Sequence, residues 1–254
     1  MERMGRSEEE LTSKMISRGV ESSQKRVEGN NFDARKRLLE YDEVLRKQRE
    51  IIYGERDEII DHDDVSELLN DMIERSVQRT VEFYDLDNEE DIDYDQYVKT
   101  LTDMYLSDEE ISVDEIRGRE AEEIYTLLMD KIKAHLAEKE ETLGTEKMRL
   151  FERMMMLRTM DQKWVEHIDS MDQLRTGIHL RSYGQINPLR EYQNEGIQMF
   201  ENMLVSIEDD TAKFVLKTTV RTDEEMKREQ VVDKKQMQTG DGKQKAKKQP
   251  VKRQ

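Results

Sequence analysis

Residues 38–60, LLEYDEVLRKQREIIYGERDEII, carry an apolar side chain at every seventh position. This spacing keeps the side chains on one face of an α-helix, because two helical turns take about 7 residues. Tyr41 adds a contact between two members of the repeat, whereas Gln48 and Glu55 interrupt its second position. The stretch therefore predicts a long helix with one apolar seam, or alternatively a surface helix with an ordinary apolar stripe. The members of the repeat are Leu38, Leu45, Ile52 and Ile59.

Helical character extends along most of the chain. Proline, which costs about 3 kcal/mol in a helix interior, occurs only at Pro188 and Pro250. Of the 254 residues, 35% are hydrophobic and 40% are charged, so the apolar side chains must form narrow stripes rather than one thick core. We therefore predict an all-α protein of elongated helices that pack along seams.

The composition also excludes several classes of site. The chain has no cysteine, which rules out disulfides, thiolate zinc ligands and cysteine nucleophiles and indicates a reducing cytosol. No run approaches the roughly 20 consecutive apolar residues of a membrane-spanning helix, so any membrane contact is expected to be peripheral. No Gly-x-x-x-x-Gly-Lys-Ser/Thr phosphate loop occurs, so we expect no nucleotide hydrolysis by this chain alone.

Composition divides the chain into four parts. Residues 1–60 hold the long helix, residues 61–143 an acidic helical unit, and residues 144–220 an antiparallel helical hairpin. Residues 221–254 are poor in apolar side chains, and we expect them to be disordered. The net charge is −17, although the tail carries eleven Lys or Arg against six Asp or Glu. The body should repel nucleic acid, and no specific nucleic acid is expected as a partner, although a binder that uses the basic tail stays open.

Two features suggest metal binding, and the details argue against it. The run Asp91, Asp93 and Asp95 resembles the start of a calcium loop. The bend and the bidentate ligand of such a loop would fall on Gln96 and Thr102 instead of Gly and Glu. The histidines form no His-Glu-x-x-His pair, so each is expected to be an ordinary helix or surface residue, and we predict no catalytic residue and no metal ligand. The histidines are His62, His135, His167 and His179.

The hairpin is indicated by two apolar stripes that flank a turn. Apolar residues recur at helical spacing from 150 to 178 and again from 192 to 215. Between them, Asn187 can cap the second helix and Pro188 can occupy its first position. Tyr183 lies at the predicted tip, where it either contacts other polypeptide chains or folds back onto its own hairpin.

Two segments resemble a known family. The first is QKRVEGNNFD at residues 24–33, followed by Arg35, Lys36 and LLEYDEV at residues 38–44. It closely resembles the helical scaffold of the bacterial preprotein translocase motor SecA. The second segment is similar to that family's two-helix finger. Its matching residues are Trp164, His167, Ile168, Met171, Asp172, Leu174, Arg175, Gly177, Ile178, His179, Leu180, Arg181, Tyr183, Gln185, Pro188, Glu191 and Tyr192.

The resemblance implies a fold and a role. Residues 1–60 would be the scaffold helix, which in this family contacts both motor domains, and residues 61–143 would be the helical wing. ATP and Mg²⁺ would be bound by motor domains that precede the scaffold, so no cofactor is expected in this chain and no activity is expected of it alone. The residues implied in coupling between domains are Asn31, Arg35, Leu38, Tyr41 and Asp42.

The family's finger lies at the mouth of the SecY channel and contacts the translocating chain. The implied partners are the SecYEG channel, an unfolded preprotein, the SecA motor domains and, peripherally, the membrane surface, so the implied location is the cytoplasm at the inner face of the cell membrane. Zinc and SecB binding are not implied, because the cysteine-rich tail that carries them in many members has no counterpart here. The residues implied in polypeptide binding are Tyr183, Arg181, Ile178, Leu180 and Ile186.

The resemblance favours a carboxyl-terminal fragment of a SecA motor that couples ATP-driven motion to preprotein transport. The abrupt amino end is consistent with a truncated reading frame or an excised fragment. A free-standing helical adaptor, or a structural protein that self-associates through Leu38, Leu45 and Ile52, is the alternative.

Overall fold

The computed structural model describes residues 14–84, 92–178 and 187–219. Those ranges contain seven α-helices and no β-strand, so the predicted all-α fold is confirmed. The predicted disordered tail, residues 221–254, lies outside the described residues. The helices are α1 (Lys14–Asp61), α2 (Ser66–Tyr84), α3 (Tyr94–Met104), α4 (Val113–Ile116), α5 (Ala121–Leu143), α6 (Thr145–Ile178) and α7 (Pro188–Lys217).

Side-chain caps explain where several helices begin. An Asp93 carboxylate oxygen accepts the Gln96 N–H at 3.0 Å at the start of α3, so this residue of the calcium-like run caps a helix. The Asn187 side-chain oxygen accepts the Leu189 N–H at 3.0 Å, and Pro188 is the first residue of α7. The predicted cap and first position of the return helix are therefore confirmed.

The chain forms two compact units. Among the described residues, unit 1 comprises residues 14–63, 156–178 and 187–210, and unit 2 comprises residues 64–84, 92–155 and 211–219. Helices α6 and α7 each supply residues to both units.

Unit 2 has a core built from helices α2 to α5. Tyr105 is fully buried, and its hydroxyl lies 2.8 Å from the hydroxyls of Ser76 and Thr80 on α2. The Lys217 ammonium, at the end of α7, donates to the carbonyl oxygens of Thr102 and Leu106 at 2.6 and 2.8 Å. These polar contacts tie the ends of α3 and α7 to an apolar centre. Its fully buried members include Leu69, Ile73, Leu101, Leu106, Ile116, Leu128 and Ile132.

Candidate functional site

Unit 1 contains a seam where the second half of α1 packs against the hairpin formed by α6 and α7. Near the start of this half, the Tyr41 ring packs edge-on against Tyr192, with ring centroids 4.9 Å apart. One helical turn before the end of α1, Arg56 pairs with Asp161 at 3.0 Å. Helix α1 therefore runs antiparallel to α6 and parallel to α7. We call this contact the three-helix seam, defined by Tyr41, Gln48, Ile52, His167, Met171, Ile178, Tyr192 and Gly196.

One end of the three-helix seam is apolar. Tyr41, Met171, Ile178 and Tyr192 form a buried cluster, against which Leu45 and its neighbours pack. Burial raises the pKa of both tyrosines, so both hydroxyls stay neutral at physiological pH. This end holds α1 to the hairpin chiefly by removal of apolar surface from water.

The middle of the seam is polar and hydrogen-bonded. The Gln48 side-chain amide donates to the Gly196 carbonyl oxygen at 2.8 Å, and its oxygen lies 2.9 Å from His167 Nε2. An amide oxygen can only accept, so Nε2 carries the proton. Gln48, which interrupts the apolar repeat in the sequence, thus bridges α1 to both hairpin helices.

His167 is part of the buried seam and is not a surface residue. Its side chain is 4% exposed and lies against the rings of Trp164 and Phe200, with centroids 5.6 and 5.7 Å away. Burial lowers the pKa of His167, which favours the neutral imidazole. The His167–Gln48 bond joins residues 119 positions apart, so no local sequence signal could have revealed it.

We expect unit 1 to lose stability in mild acid because of His167. The pKa of this histidine is lower in the folded than in the unfolded state, so the unfolded chain binds more protons as the pH falls from 7 through 6.5. Urea unfolding followed by Trp164 fluorescence should show a lower midpoint at pH 5.5 than at pH 7. The variant His167→Gln should reduce this difference, and an unchanged difference would assign the acid sensitivity to another group.

Ion pairs that involve partly buried basic side chains line the rim of the seam. Arg175 pairs with Asp172 at 2.6 Å and lies 3.6 Å from Asp42 on α1. Lys163 pairs with Asp210 at 2.7 Å. Ion pairs that remain accessible to solvent typically contribute about 0–1 kcal/mol, so these pairs support the register of the helices more than their stability.

The pattern of the SecA Wing and Scaffold domain matches residues 10–219 of the chain. The chain belongs to this family. The match spans all the described residues from 14 onward, including the three-helix seam and the core of unit 2. As a SecA wing and scaffold domain, the chain is part of the SecA translocation motor. No helix within the described ranges is long and apolar enough to cross a membrane.

The residues predicted to couple the domains lie in two different environments. Tyr41 is buried in the three-helix seam, and Asp42 is exposed near Arg175. Asn31 and Arg35 are exposed on the first half of α1. Leu38 is 53% exposed, so the prediction that the apolar seam begins at this residue is wrong. The seam begins at Tyr41, which turns toward Tyr192, whereas Leu38 faces outward.

The predicted polypeptide-binding residues also fall into two groups. Ile178 is fully buried among Tyr41, Met171 and Tyr192, so its side chain belongs to the hairpin core and is not exposed at a tip. The other four lie outside the described residues, and their role in binding polypeptide stays a prediction. These four are Leu180, Arg181, Tyr183 and Ile186.

Proposed function

We propose that this chain carries nucleotide-driven movement from the SecA motor domains to a two-helix finger that contacts the preprotein at the SecYEG channel. Helix α1 supports this proposal, because its two halves have different surroundings. Its second half packs against the hairpin, whereas every described side chain from residue 17 to residue 39 is exposed. The exposed half is about 35 Å long at 1.5 Å per residue, enough to reach along a neighbouring domain.

The exposed half of α1 presents two apolar lines. At 100° per residue, Val20, Val27 and Leu38 fall within about 20° of one another around the helix axis. Phe32 and Leu39 form a second line roughly 110° away. These residues are between 52% and 68% exposed, so this half of the helix leaves apolar side chains that a neighbouring domain could cover. Two lines facing different directions support contact with two separate domains, as the SecA scaffold requires.

The polar bridge in the seam supports the transmission of movement. Gln48 is bonded to both α6 and α7, so sliding α1 along the hairpin would break two buried hydrogen bonds at once. Movement imposed on the exposed half of α1 is therefore expected to reach the hairpin as rigid displacement. ATP and Mg²⁺ would act in the motor domains, and the chain would work at the cytoplasmic face of the membrane.

The self-association alternative has less support. It requires Leu45 and Ile52 to face a second copy, but Ile52 is 1% exposed and Leu45 packs against the apolar cluster of the seam. A dimer through this face would have to displace the hairpin from α1. The exposed lines on the first half of α1 could pair two copies without that rearrangement, but they include neither Leu45 nor Ile52.

The test is binding of this chain to purified SecA nucleotide-binding domains, measured by calorimetry. We expect Val27→Asp and Phe32→Asp each to weaken binding by about tenfold or more, because each places a charge in an apolar contact. Phe83→Asp is the matched control, since Phe83 is 71% exposed on α2, and it should bind like the parent chain. Equal losses in all three variants, or a chain that forms a tight dimer and ignores the motor domains, would overturn the proposal.

A further inference from the structure

Within unit 2, helices α5 and α6 are joined by a single residue. Helix α5 ends at Leu143, α6 begins at Thr145, and Gly144 between them has a φ of 81°. The Gly144 N–H bonds to the Glu140 carbonyl oxygen at 2.8 Å, and the Met148 N–H bonds to the Gly144 carbonyl oxygen at 3.0 Å. A linker this short has no slack, so the angle between the helices depends on Gly144 and on the side chains around it.

Arg149, in the first turns of α6, holds three acidic side chains around this joint. Its guanidinium lies 3.1 Å from Asp64, which precedes α2, and 3.0 Å from Glu140 at the end of α5. It also lies 3.1 Å from Glu152, one turn further along α6. We call these four residues the Arg149 clasp. A single cation thus connects the segment before α2, the end of α5 and the start of α6.

The Arg149 clasp contains three acidic side chains but only one guanidinium to neutralise them. Among the described residues, the only other charged side chain that lines the adjoining cavity is that of Lys133 on α5, which is 60% exposed and lies 3.8 Å from Glu74. The Glu152 side chain is 3% exposed, and its Oε2 lacks a well-aligned hydrogen bond even though Arg149 Nε is 3.1 Å away. A buried carboxylate without such a bond is costly to ionise.

Glu152 is the member of the clasp that titrates near neutral pH. Burial raises its pKa to about 7, Asp64 and Glu140 push it in the same direction, and Arg149 opposes them. Asp64 behaves oppositely, because hydrogen bonds from Ser66 and Arg149 lower its pKa to about 2. Asp64 therefore stays ionised while Glu152 exchanges its proton.

A cavity beside the clasp offers a place for the ionised side chain to be hydrated. It has a volume of about 260 Å³ and is lined by Ser66, Asn70, Glu140 and Glu152. A water molecule occupies about 30 Å³ of liquid, so several could enter around a carboxylate that leaves its buried position.

We propose that the Arg149 clasp is a proton-operated latch, which holds α5 fixed on α6 while Glu152 is protonated and frees the joint at Gly144 when Glu152 ionises. The latch acts within unit 2 and does not depend on contact with motor domains. It would make the stiffness of this part of the chain respond to local pH.

Hydrogen exchange of the full chain between pH 5 and pH 8.5, corrected for the intrinsic exchange rate, tests the latch. Opening releases one proton between the unfolded and folded pKa values of Glu152, so protection of residues 144–152 should fall about tenfold per pH unit up to pH 7. Above pH 7 the protection should level off, because Glu152 is then ionised in both the closed and the open form of the latch. Peptides from α3, in the same unit, should not follow this slope.

Two variants make the test specific. Glu152→Gln keeps the shape and removes the ionisation, so residues 144–152 should stay protected at every pH. Glu140→Gln removes one of the charges that raise the pKa of Glu152, so the pH at which the protection levels off should be lower in this variant. A flat profile in the parent chain, an unchanged slope in Glu152→Gln, or the same slope in α3 would overturn the proposal. If Glu152→Gln fails to fold, an unmoved profile in Glu140→Gln overturns it equally.

Discussion

Replacing Tyr192 with alanine is expected to lower the free energy of unfolding of unit 1 by about 3–5 kcal/mol. Tyr192 is fully buried in the three-helix seam, and its ring packs against Tyr41. Truncation would leave a cavity where α1 meets the hairpin, and the paired ring of Tyr41 would lose its partner. The change can be measured by urea unfolding followed by the fluorescence of Trp164, the chain's single tryptophan, which lies in the same unit.

Two controls separate packing from other effects. In the described part of the chain the Tyr192 hydroxyl has no hydrogen-bond partner, so Tyr192→Phe should leave stability unchanged or raise it by about 1 kcal/mol. Phe32→Ala removes an aromatic ring that is 66% exposed and should change stability by less than about 0.5 kcal/mol. If the urea midpoint of Tyr192→Ala equals that of Phe32→Ala, the three-helix seam does not stabilise unit 1 as expected.

Replacing Lys139 with methionine is expected to destabilise the end of α7 by about 1–3 kcal/mol. The half-buried Lys139 ammonium donates to the carbonyl oxygens of Val215, Leu216 and Thr218 at 2.6, 2.5 and 3.1 Å. A cation at a helix C-terminus satisfies carbonyl groups that have no partner in the helix and interacts well with the helix dipole. Burial lowers the pKa of Lys139 to about 8, so the ammonium is still present at pH 7.

Hydrogen exchange at residues 211–218 is the direct measurement for Lys139→Met. Exchange there should speed up by about fivefold to 140-fold, because each 1.4 kcal/mol of local stability is a factor of ten. Lys99→Met is the matched control, since Lys99 is an exposed lysine in the same unit. If both variants exchange alike, the three carbonyl contacts do not stabilise the helix end.

The three-helix seam combines two kinds of contact with different consequences. Its apolar end supplies stability, because the buried rings and Met171 exclude water. Its polar middle supplies register, because sliding α1 along the hairpin would break the hydrogen bonds of Gln48 to His167 and Gly196. For a proposed coupling element, register matters as much as stability, since a seam that slides would absorb movement instead of passing it on.

Local signals in the sequence were sufficient for the helices and several of their ends. The scarcity of proline and the abundance of good helix formers predicted an all-α chain, and Asn187 with Pro188 predicted the start of α7. Asp93 shows the limit of such signals, since a carboxylate in a polar run could bind an ion or cap a helix. Whether the backbone after such a residue closes around an ion or continues as a helix depends on its geometry, which the residue types alone leave open.

The sequence by itself determined the type of secondary structure, because helix propensity, capping and periodicity act between residues within a few positions of each other. Only the tertiary structure decided which side chains the helices bury. It turned Leu38 outward, placed Ile178 inside the hairpin, and made Gln48 a bridge to His167. The Gln48–His167 bond joins positions 119 apart and Tyr41 lies 137 positions before Ile178, and a seven-residue spacing cannot show which neighbour will cover each face.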